Sequence, residues 1–266
     1  MSHSTFWARG HYDAVGDRIA GIANRVVSTA DRRVGLRDGA VVDLGCGTGT
    51  ASLSAADRGA RVTGVDLTPE LIELAESRCG DRQITWVVGD AAETGLADSG
   101  FDAVISNMGI IFVDPGRQVA EIARLLKPGG VLSYSSWVRT EPNPIYDPVA
   151  AVFGAPATGF APDQWGDPPV VQARLSDAFV QIEIENHSHT WQFDSLTTTM
   201  EFLTEESPIH VAAFAIADAQ QSAALRSGFE AALAPYVGVD GAVSFESPYV
   251  VVSAIALGQR GGVTNR

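Results

Sequence analysis

Cysteine and lysine are almost absent from this chain. The only cysteines, Cys46 and Cys79, do not form a ligand-spaced motif, which excludes a disulfide scaffold and a thiolate zinc site. The sole lysine is Lys127, so no glycine-rich loop here ends in the lysine of a phosphate-binding Walker motif. Positive charge is scarce overall: 18 Lys and Arg against 32 Asp and Glu leave a formal net charge of -14. That balance repels phosphate backbones and anionic lipid, and it argues against nucleic-acid and membrane-surface partners. The one basic cluster, Arg32, Arg33 and Arg37, reads as a solvated helix end. No apolar run approaches a membrane span, and the start MSHSTFWARGHYD lacks the basic and apolar regions of a signal peptide, so a cytoplasmic location is expected.

What the chain does have is apolar content, 45% of 266 residues, enough for one large core. Val15, Ile19, Ile22, Val26 and Val27 mark an amphipathic helix over roughly 13–31. Strand-like and helix-like stretches then alternate. AVVDLG (40–45), RVTGVD (61–66), ITWVVG (84–89), FDAVISN (101–107) and VLSYSSW (131–137) read as strands. TASLSAADRG (50–59), PELIELAESR (69–78) with Thr68 as its cap, and the segment from Asp114 and Pro115 to PGG at 128–130 read as helices. Residues 40–137 are therefore repeated βα units around a parallel sheet. Residues 139–169 hold seven of the 13 prolines, interleaved with aromatic residues, and read as an excursion over an open site. FVQIEIENHSHTWQF (179–193) and SPYVVVSAIALG (247–258) are two late strands, and the tail GQRGGVTNR reads as a frayed end.

The stretch VVDLGCGTGT at 41–50 places glycine at 45, 47 and 49, after a buried strand and before a helix. Such a turn lets something approach the backbone closely and directs backbone N–H groups at a ligand on the carboxyl edge of the sheet. A dinucleotide fingerprint would need glycine at 50, where this chain has Thr50. With Asp43 preceding the turn, the expected ligand presents an amino or other positive group there rather than a pyrophosphate. Asp66 closes the second strand, where a carboxylate can accept both hydroxyls of a ribose, and Asp90 follows the third, with room for a base.

These segments resemble those of the class I S-adenosylmethionine-dependent methyltransferases, in particular the small-molecule, ubiquinone-biosynthesis-like branch. The resemblance implies a Rossmann-like α/β fold whose seven-stranded, mostly parallel sheet ends in a late antiparallel hairpin and carries a helical cap. It implies S-adenosyl-L-methionine as cofactor, with Asp43, Gly45, Gly47 and Gly49 around its methionine part. By the same resemblance Asp66 holds the ribose, Leu67 packs near the adenine, Asp90 and Ala91 face the adenine, and Asn107 and Met108 lie beside the cofactor. WARGHYDAV (7–15) is similar to an N-terminal segment of that branch which folds over the cofactor, placing Tyr12 among the binding residues. The whole chain, 1–266, is expected to be one domain, with a cofactor-binding core at 34–137 and cap or substrate elements from 1–33 and 139–235.

Methyl transfer from a sulfonium is catalysed largely by positioning and by exclusion of water, so a base is required only if the acceptor must lose a proton. His187 and His189 share a strand face and are the first base candidates; His11 lies in the expected lid. HSH also resembles a metal pair, but no third ligand at useful spacing accompanies it, and no metal is expected. Trp7, Phe112, Trp137, Tyr146, Trp165 and His210 are the expected lining of the acceptor site, a set whose aromatic character favours a moderately apolar small molecule over a polymer. The lid around Trp7, His11 and Tyr12 is expected to close against the 139–169 excursion. The expected partner is a small-molecule substrate, with no nucleic acid and no membrane, the chain being a monomer or homodimer. The alternatives are an aminopropyltransferase, whose substrate calls for more carboxylates after strand four than Asp114 alone, and a noncatalytic cofactor-binding or regulatory protein of the same fold.

Overall fold

In the computed structural model, residues 7–154 and 159–258 are described; the first six residues of the expected cap, residues 155–158 of the excursion and the tail from 259 fall outside them. Seven strands make one sheet: β1 Ala40–Leu44, β2 Arg61–Asp66, β3 Ile84–Val88, β4 Phe101–Asn107, β5 Leu126–Trp137, β6 Phe179–Phe193 and β7 Val243–Ala256. Their order is β3-β2-β1-β4-β5-β7-β6. The first five run parallel, and β7 lies antiparallel to both β5 and β6. β1 and β4 are apolar on both faces because helices cover both, so Val41, Val42, Leu44, Ala103, Val104 and Ile105 are all buried. The chain winds one way from β1 to β2 and the other from β1 to β4. A crevice therefore opens above the carboxyl ends of β1 and β4.

The expected helix at 13–31 is two helices, α1 Tyr12–Arg18 and α2 Ala20–Val34, separated where Ile19 leaves helical geometry. The apolar face of α2, Ile22, Ala23, Val26, Val27 and Ala30, is buried in the core beneath the sheet. Its basic end is less solvated than its composition suggests. Arg32 reaches Glu185 at 2.8 Å, while Arg33 bonds Ser253 Oγ at 3.0 Å and pairs with Glu183, so two of the three arginines tie α2 across to β6 and β7. The other helices of the parallel half are α3 Thr50–Asp57, α4 Pro69–Arg78 and α5 Pro115–Leu125. Proline in the first turn suits α4 and α5 because that N–H would have no helical partner. Asp114 caps α5 by accepting the Arg117 N–H at 2.9 Å, whereas the expected cap of α4, Thr68, makes no capping bond with its side chain.

Both long connections emerge at the carboxyl edge. β5 continues into the excursion, which holds α6 Asp147–Phe153, a 3-10 turn at Pro162–Trp165 and α7 Pro168–Leu175. The late strands pair in one register from Phe193 opposite Val243 to Glu183 opposite Ser253, shift between Glu183 and Val180, and are not a tight hairpin. Between them lie α8 Leu196–Glu201, a wide helical turn at Phe202–Glu206, α9 Pro208–Ile216 and α10 Ala219–Leu233. Because β6 runs parallel to β1, this insertion starts and ends on the crevice side.

Candidate functional site

The three glycines of the first loop all have positive φ, a conformation that a β-carbon disfavours, and each is also met by another part of the protein. A β-carbon on Gly45 would lie 2.8 Å from Gly109 Cα, one on Gly47 2.8 Å from the Tyr12 ring, and one on Gly49 2.7 Å from the Trp86 indole. The close approach expected of a ligand is thus made by the turn after β4, by α1 and by β3. Several loop amides are also spoken for: Cys46 N–H donates to Val65 O, Gly47 N–H to Asp66 Oδ2 and Gly49 N–H to Cys46 O. The ends of β1 and β4 are fastened together by Ser106, whose hydroxyl donates to Leu44 O at 2.7 Å and accepts the Ile110 N–H at 3.1 Å. A β-carbon on Gly109 would sit 2.6 Å from Gly45 O and 2.7 Å from Leu44 O, backbone atoms that cannot swing aside. Gly109→Ala should therefore destabilise the fold by about 3 kcal/mol or more. Gly116→Ala, whose β-carbon meets only Asp114 Oδ1 at 3.5 Å, should change stability by less than about 1 kcal/mol. Urea unfolding of the two variants gives the comparison, and equal stabilities would show that the Gly45–Gly109 contact is not tight.

Two carboxylates lie beneath this loop. Asp43 is 1% exposed; its Oδ2 accepts the Ser52 hydroxyl at 2.7 Å, and its Oδ1 is buried without a partner. Burial is the main reason its pKa is pushed up to about 7. Asp66 is 8% exposed and accepts the Gly47 N–H and the Thr68 N–H, each at 2.9 Å and each on a different oxygen. Burial raises its pKa as well, against the lowering effect of those backbone bonds. Next to it Leu67 is 42% exposed. Asp90 accepts the Ala92 N–H at 2.8 Å and pairs with Arg117 at 3.3 Å, while Ala91 is buried and its carbonyl accepts from Gln118 Nε2 at 3.0 Å. Across the crevice Asn107 Oδ1 accepts the Ser135 hydroxyl at 2.8 Å, and Met108 sits at φ 58, in the left-handed region that favours glycine. Strain of that kind in a non-glycine residue commonly accompanies a functional turn.

The N-terminal segment covers the loop. Tyr12 lies on Gly47, and burial near Asp66, Cys46 and Asp43 pushes its pKa above the ordinary phenol value. Trp7 meets Tyr12 edge-on at 6.1 Å and Phe112 at 4.6 Å between ring centroids. His11 is exposed, and its backbone N–H donates to Glu206 O at 3.0 Å. The lid therefore docks on the wide turn after α8, in the β6–β7 insertion, and on the turn after β4.

The remaining candidates divide between the β5–β7–β6 end of the sheet, the excursion and the core. Trp137 and His189 lie 6.1 Å apart, His187 lies 5.3 Å from Tyr249, and all four belong to the β5–β7–β6 end of the sheet. Tyr146 is half-buried under the Arg139 guanidinium, 4.6 Å from its ring centre. Trp165 is a correction: it is 0% exposed, edge-on to buried Tyr134, and its carbonyl accepts the Tyr134 hydroxyl at 3.0 Å. His210 is another. It is buried in α9 with Nδ1 2.7 Å from Ser207 Oγ and Nε2 2.8 Å from Ile145 O, which makes it a tether between α9 and the excursion. Burial lowers its pKa to about 4, so the folded protein holds it neutral where the unfolded chain protonates it. Stability linked to His210 is thus present above its ordinary pKa and lost as pH falls through about 4. Protonation should remove about 3 kcal/mol over that window. His210→Gln should flatten the acid limb of a pH series of urea midpoints relative to the parent protein; parallel limbs would refute the assignment.

Residue-type reasoning did not single out Trp86, Ser52, Ser135 or Gly109. Gly109 could have been noticed as a glycine directly after a strand end, in NMG; nothing local marks the other three. A groove of about 670 Å³ runs along the opposite, amino-terminal edge, past Arg61, Arg82 and Phe101. Arg82 is held there by Asp57 at 2.6 Å, and none of the unpartnered buried polar atoms among the described residues lies in this groove.

Residues 42–134 match the model of a methyltransferase domain. An uncharacterized protein of Mycobacterium tuberculosis is 36% identical over 141 residues, 51% of this chain and 50% of its own length. An uncharacterized methyltransferase of the same organism is 39% identical over 92 residues, 35% of this chain and 37% of its own. The chain thus spans about half the length of the first of these curated relatives, and less of the second. Among solved structures, the YcgJ protein of Bacillus subtilis has a TM-score of 0.56 at 17% identity, covering 87% of this chain and 98% of its own. Phosphoethanolamine N-methyltransferase 2 of Haemonchus contortus, solved with S-adenosyl-L-methionine, has a TM-score of 0.53 at 21% identity, covering 89% of this chain and 53% of its own. At these identities the structures show the fold alone, a Rossmann-like sheet, and the sequence match is to a methyltransferase domain over residues 42–134.

Proposed function

We propose that this chain is an enzyme that transfers a methyl group from S-adenosylmethionine to a small, fairly apolar organic acceptor, through O, N or C. One observation carries the reading furthest. Asp43 lies buried below the Gly45–Gly49 loop with one carboxylate oxygen unpartnered, a state that an arriving cationic group would relieve. The amino group of the cofactor's methionine part is such a group. Gly45, Gly47, Gly49, Asn107 and Met108 would surround that part, Asp66 would accept the ribose hydroxyls, and exposed Leu67 with Asp90 and Ala91 would receive the base. The two lone pairs on each Asp66 oxygen leave room for ribose hydroxyls beside the backbone donors already present. Arg117 would yield part of its hold on Asp90, an exposed pairing that contributes little by itself.

When bound, S-adenosylmethionine supplies an electrophilic methyl carbon on a sulfonium. The work left to the protein is orientation and the exclusion of water. Tyr12, pressed on Gly47, and Trp7, lying against Phe112, cover the crevice from the α1 side and serve both ends. His11, exposed at the start of α1, is a base candidate beside His187 and His189. We read the chain as one catalytic unit, monomer or homodimer, acting in the cytoplasm without a metal. The net charge of -14 offers nucleic acid no electrostatic attraction. No described helix is long and apolar enough to cross a membrane.

Calorimetry with S-adenosylhomocysteine tests the cofactor assignment, with one-to-one binding expected. Incubation with S-adenosylmethionine and a pooled metabolite extract tests turnover, with accumulation of S-adenosylhomocysteine expected. Absence of binding refutes the proposal. Binding without turnover on any fraction of the extract would favour a noncatalytic role.

A further inference from the structure

The sheet face turned away from α2 carries a cation that no carboxylate answers. Ser133 bonds α2, so the next residue of β5, Tyr134, points to the opposite face, where α7 packs beside α5. There Trp165, fully buried, meets Tyr134 edge-on at 5.4 Å, and the guanidinium of half-buried Arg174 lies over the indole, 4.9 Å from its ring centre. The three side chains form one stack. It joins β5 to the 3-10 turn at Pro162–Trp165 and to the last turn of α7.

The acceptors around the stack are already taken. The Trp165 carbonyl receives the Tyr134 hydroxyl at 3.0 Å, and Gln164 Oε1 receives both the Ala161 N–H at 3.2 Å and Arg174 Nη2 at 3.0 Å. Two donors are left over. Trp165 Nε1 and Arg174 Nη1 are each buried without a hydrogen-bond partner, a rare state for one such atom and rarer for two in contacting side chains. Arg174 pairs with no carboxylate among the described residues; Asp167, which attracts it through space, is exposed at the head of α7. Burial lowers the Arg174 pKa, and it holds the Tyr134 phenol above its ordinary value and therefore neutral. A lysine placed here could shed its proton. Arginine stays charged, so what remains is a buried positive charge in need of a counter-charge.

The two free donors also limit what that counter-charge can be. A water could accept from both N–H groups but would leave the charge standing, and a carboxylate would bring two oxygens with about four lone pairs to a place that offers two donors. A spherical ion has no such surplus. We propose that the Trp165–Arg174 stack binds one halide ion, held by Arg174 Nη1 and Trp165 Nε1. The ion fastens the 3-10 turn of the excursion to α7, and because that turn also touches the Ile110–Phe112 turn after β4, it stiffens a segment that backs the crevice. Such a site works whether or not the crevice takes S-adenosylmethionine.

The test follows thermal unfolding of the full chain at constant ionic strength as gluconate, too bulky for the stack, is exchanged for chloride, bromide or formate. In chloride and in bromide the midpoint should rise by about 2–5 °C and then level off, as occupation of one site requires. Arg174→Met keeps an apolar stem and removes the charge; it should lose the rise, yet in gluconate unfold within about 2 °C of the parent protein. Trp165→Phe keeps a ring and removes the N–H, so it should keep the rise but need about tenfold more halide. A crystal of the parent protein grown in bromide gives a reading that depends on neither variant. Its anomalous peak should lie within hydrogen-bonding distance of both nitrogens. No rise in halide, a rise in formate alone, an equal rise in Arg174→Met, or a bromide crystal without a peak at the stack overturns the site.

Discussion

Asp43→Asn should make the ligand-free protein more stable above pH 7 and, at the same time, a poorer binder of S-adenosylmethionine. The carboxyl group titrates near pH 7 in the folded chain and near 3.8 when exposed. Between those values the folded state holds a proton that the unfolded state has released, so stability falls as pH rises through the window. Above about pH 7 the whole penalty is present, and three pH units correspond to about 4 kcal/mol. Asparagine carries no charge and can still accept the Ser52 hydroxyl, but its amide N–H2 then replaces the unpartnered oxygen and returns about 1–3 kcal/mol of that gain. A net increase of roughly 1–3 kcal/mol at pH 8, shrinking toward pH 5, is the expected result. Binding should move the other way. Loss of a charged hydrogen bond to the cofactor's amino group weakens affinity by about 1.5–3 kcal/mol, or roughly 10- to 150-fold. The parent protein should also release a proton when it binds at pH 6, because the arriving cation draws Asp43 into its ionised form. Calorimetry in buffers of different ionisation enthalpy reads that proton directly. Equal heats across buffers for the parent protein would show that the amino group does not sit by Asp43.

The elements that sequence made legible are those whose environment is written into their own residues. β1 and β4 are buried on both faces, so they appear as near-continuous apolar runs, and β6 was found to its last residue because a partly covered edge strand alternates. The excursion hid its helices for a related reason. Its prolines look like loop residues, yet Pro148, Pro162 and Pro168 each sit in a first turn, where proline is welcome. The glycine loop was legible as a place of close approach, but the identity of what approaches was not. Tyr12, Trp86 and Gly109 come from three separate segments, and only the folded chain brings them onto Gly47, Gly49 and Gly45. The same limit explains His210. Ser207 lies one turn away and could be guessed as a partner, whereas the Ile145 carbonyl that completes the tether is contributed by the excursion. The break at Ile19 turns one amphipathic stripe into two helices and lets Tyr12 reach the loop, a change that periodicity alone does not register.

Asp66 offers the sharper test of where a nucleoside would lie, because its structural and ligand-binding roles can be separated. Its two oxygens hold the backbone N–H groups of Gly47 and Thr68, so any replacement disturbs the loop. Asparagine could serve only one of those donors and would aim its own N–H2 at the other, while alanine leaves a space that water can enter. Asp66→Ala should therefore be the better-tolerated variant in thermal unfolding. Its affinity for S-adenosylhomocysteine should fall by about 1.5–3 kcal/mol if the carboxylate also accepts ribose hydroxyls. Loop distortion alone could produce a loss of that size, and the control is an analogue lacking both ribose hydroxyls. The parent protein should bind S-adenosylhomocysteine more tightly than this analogue by about 10- to 150-fold, and Asp66→Ala should bind the two almost equally. If the variant still discriminates as strongly as the parent, the ribose is held elsewhere, and Asp66 serves only to shape the loop.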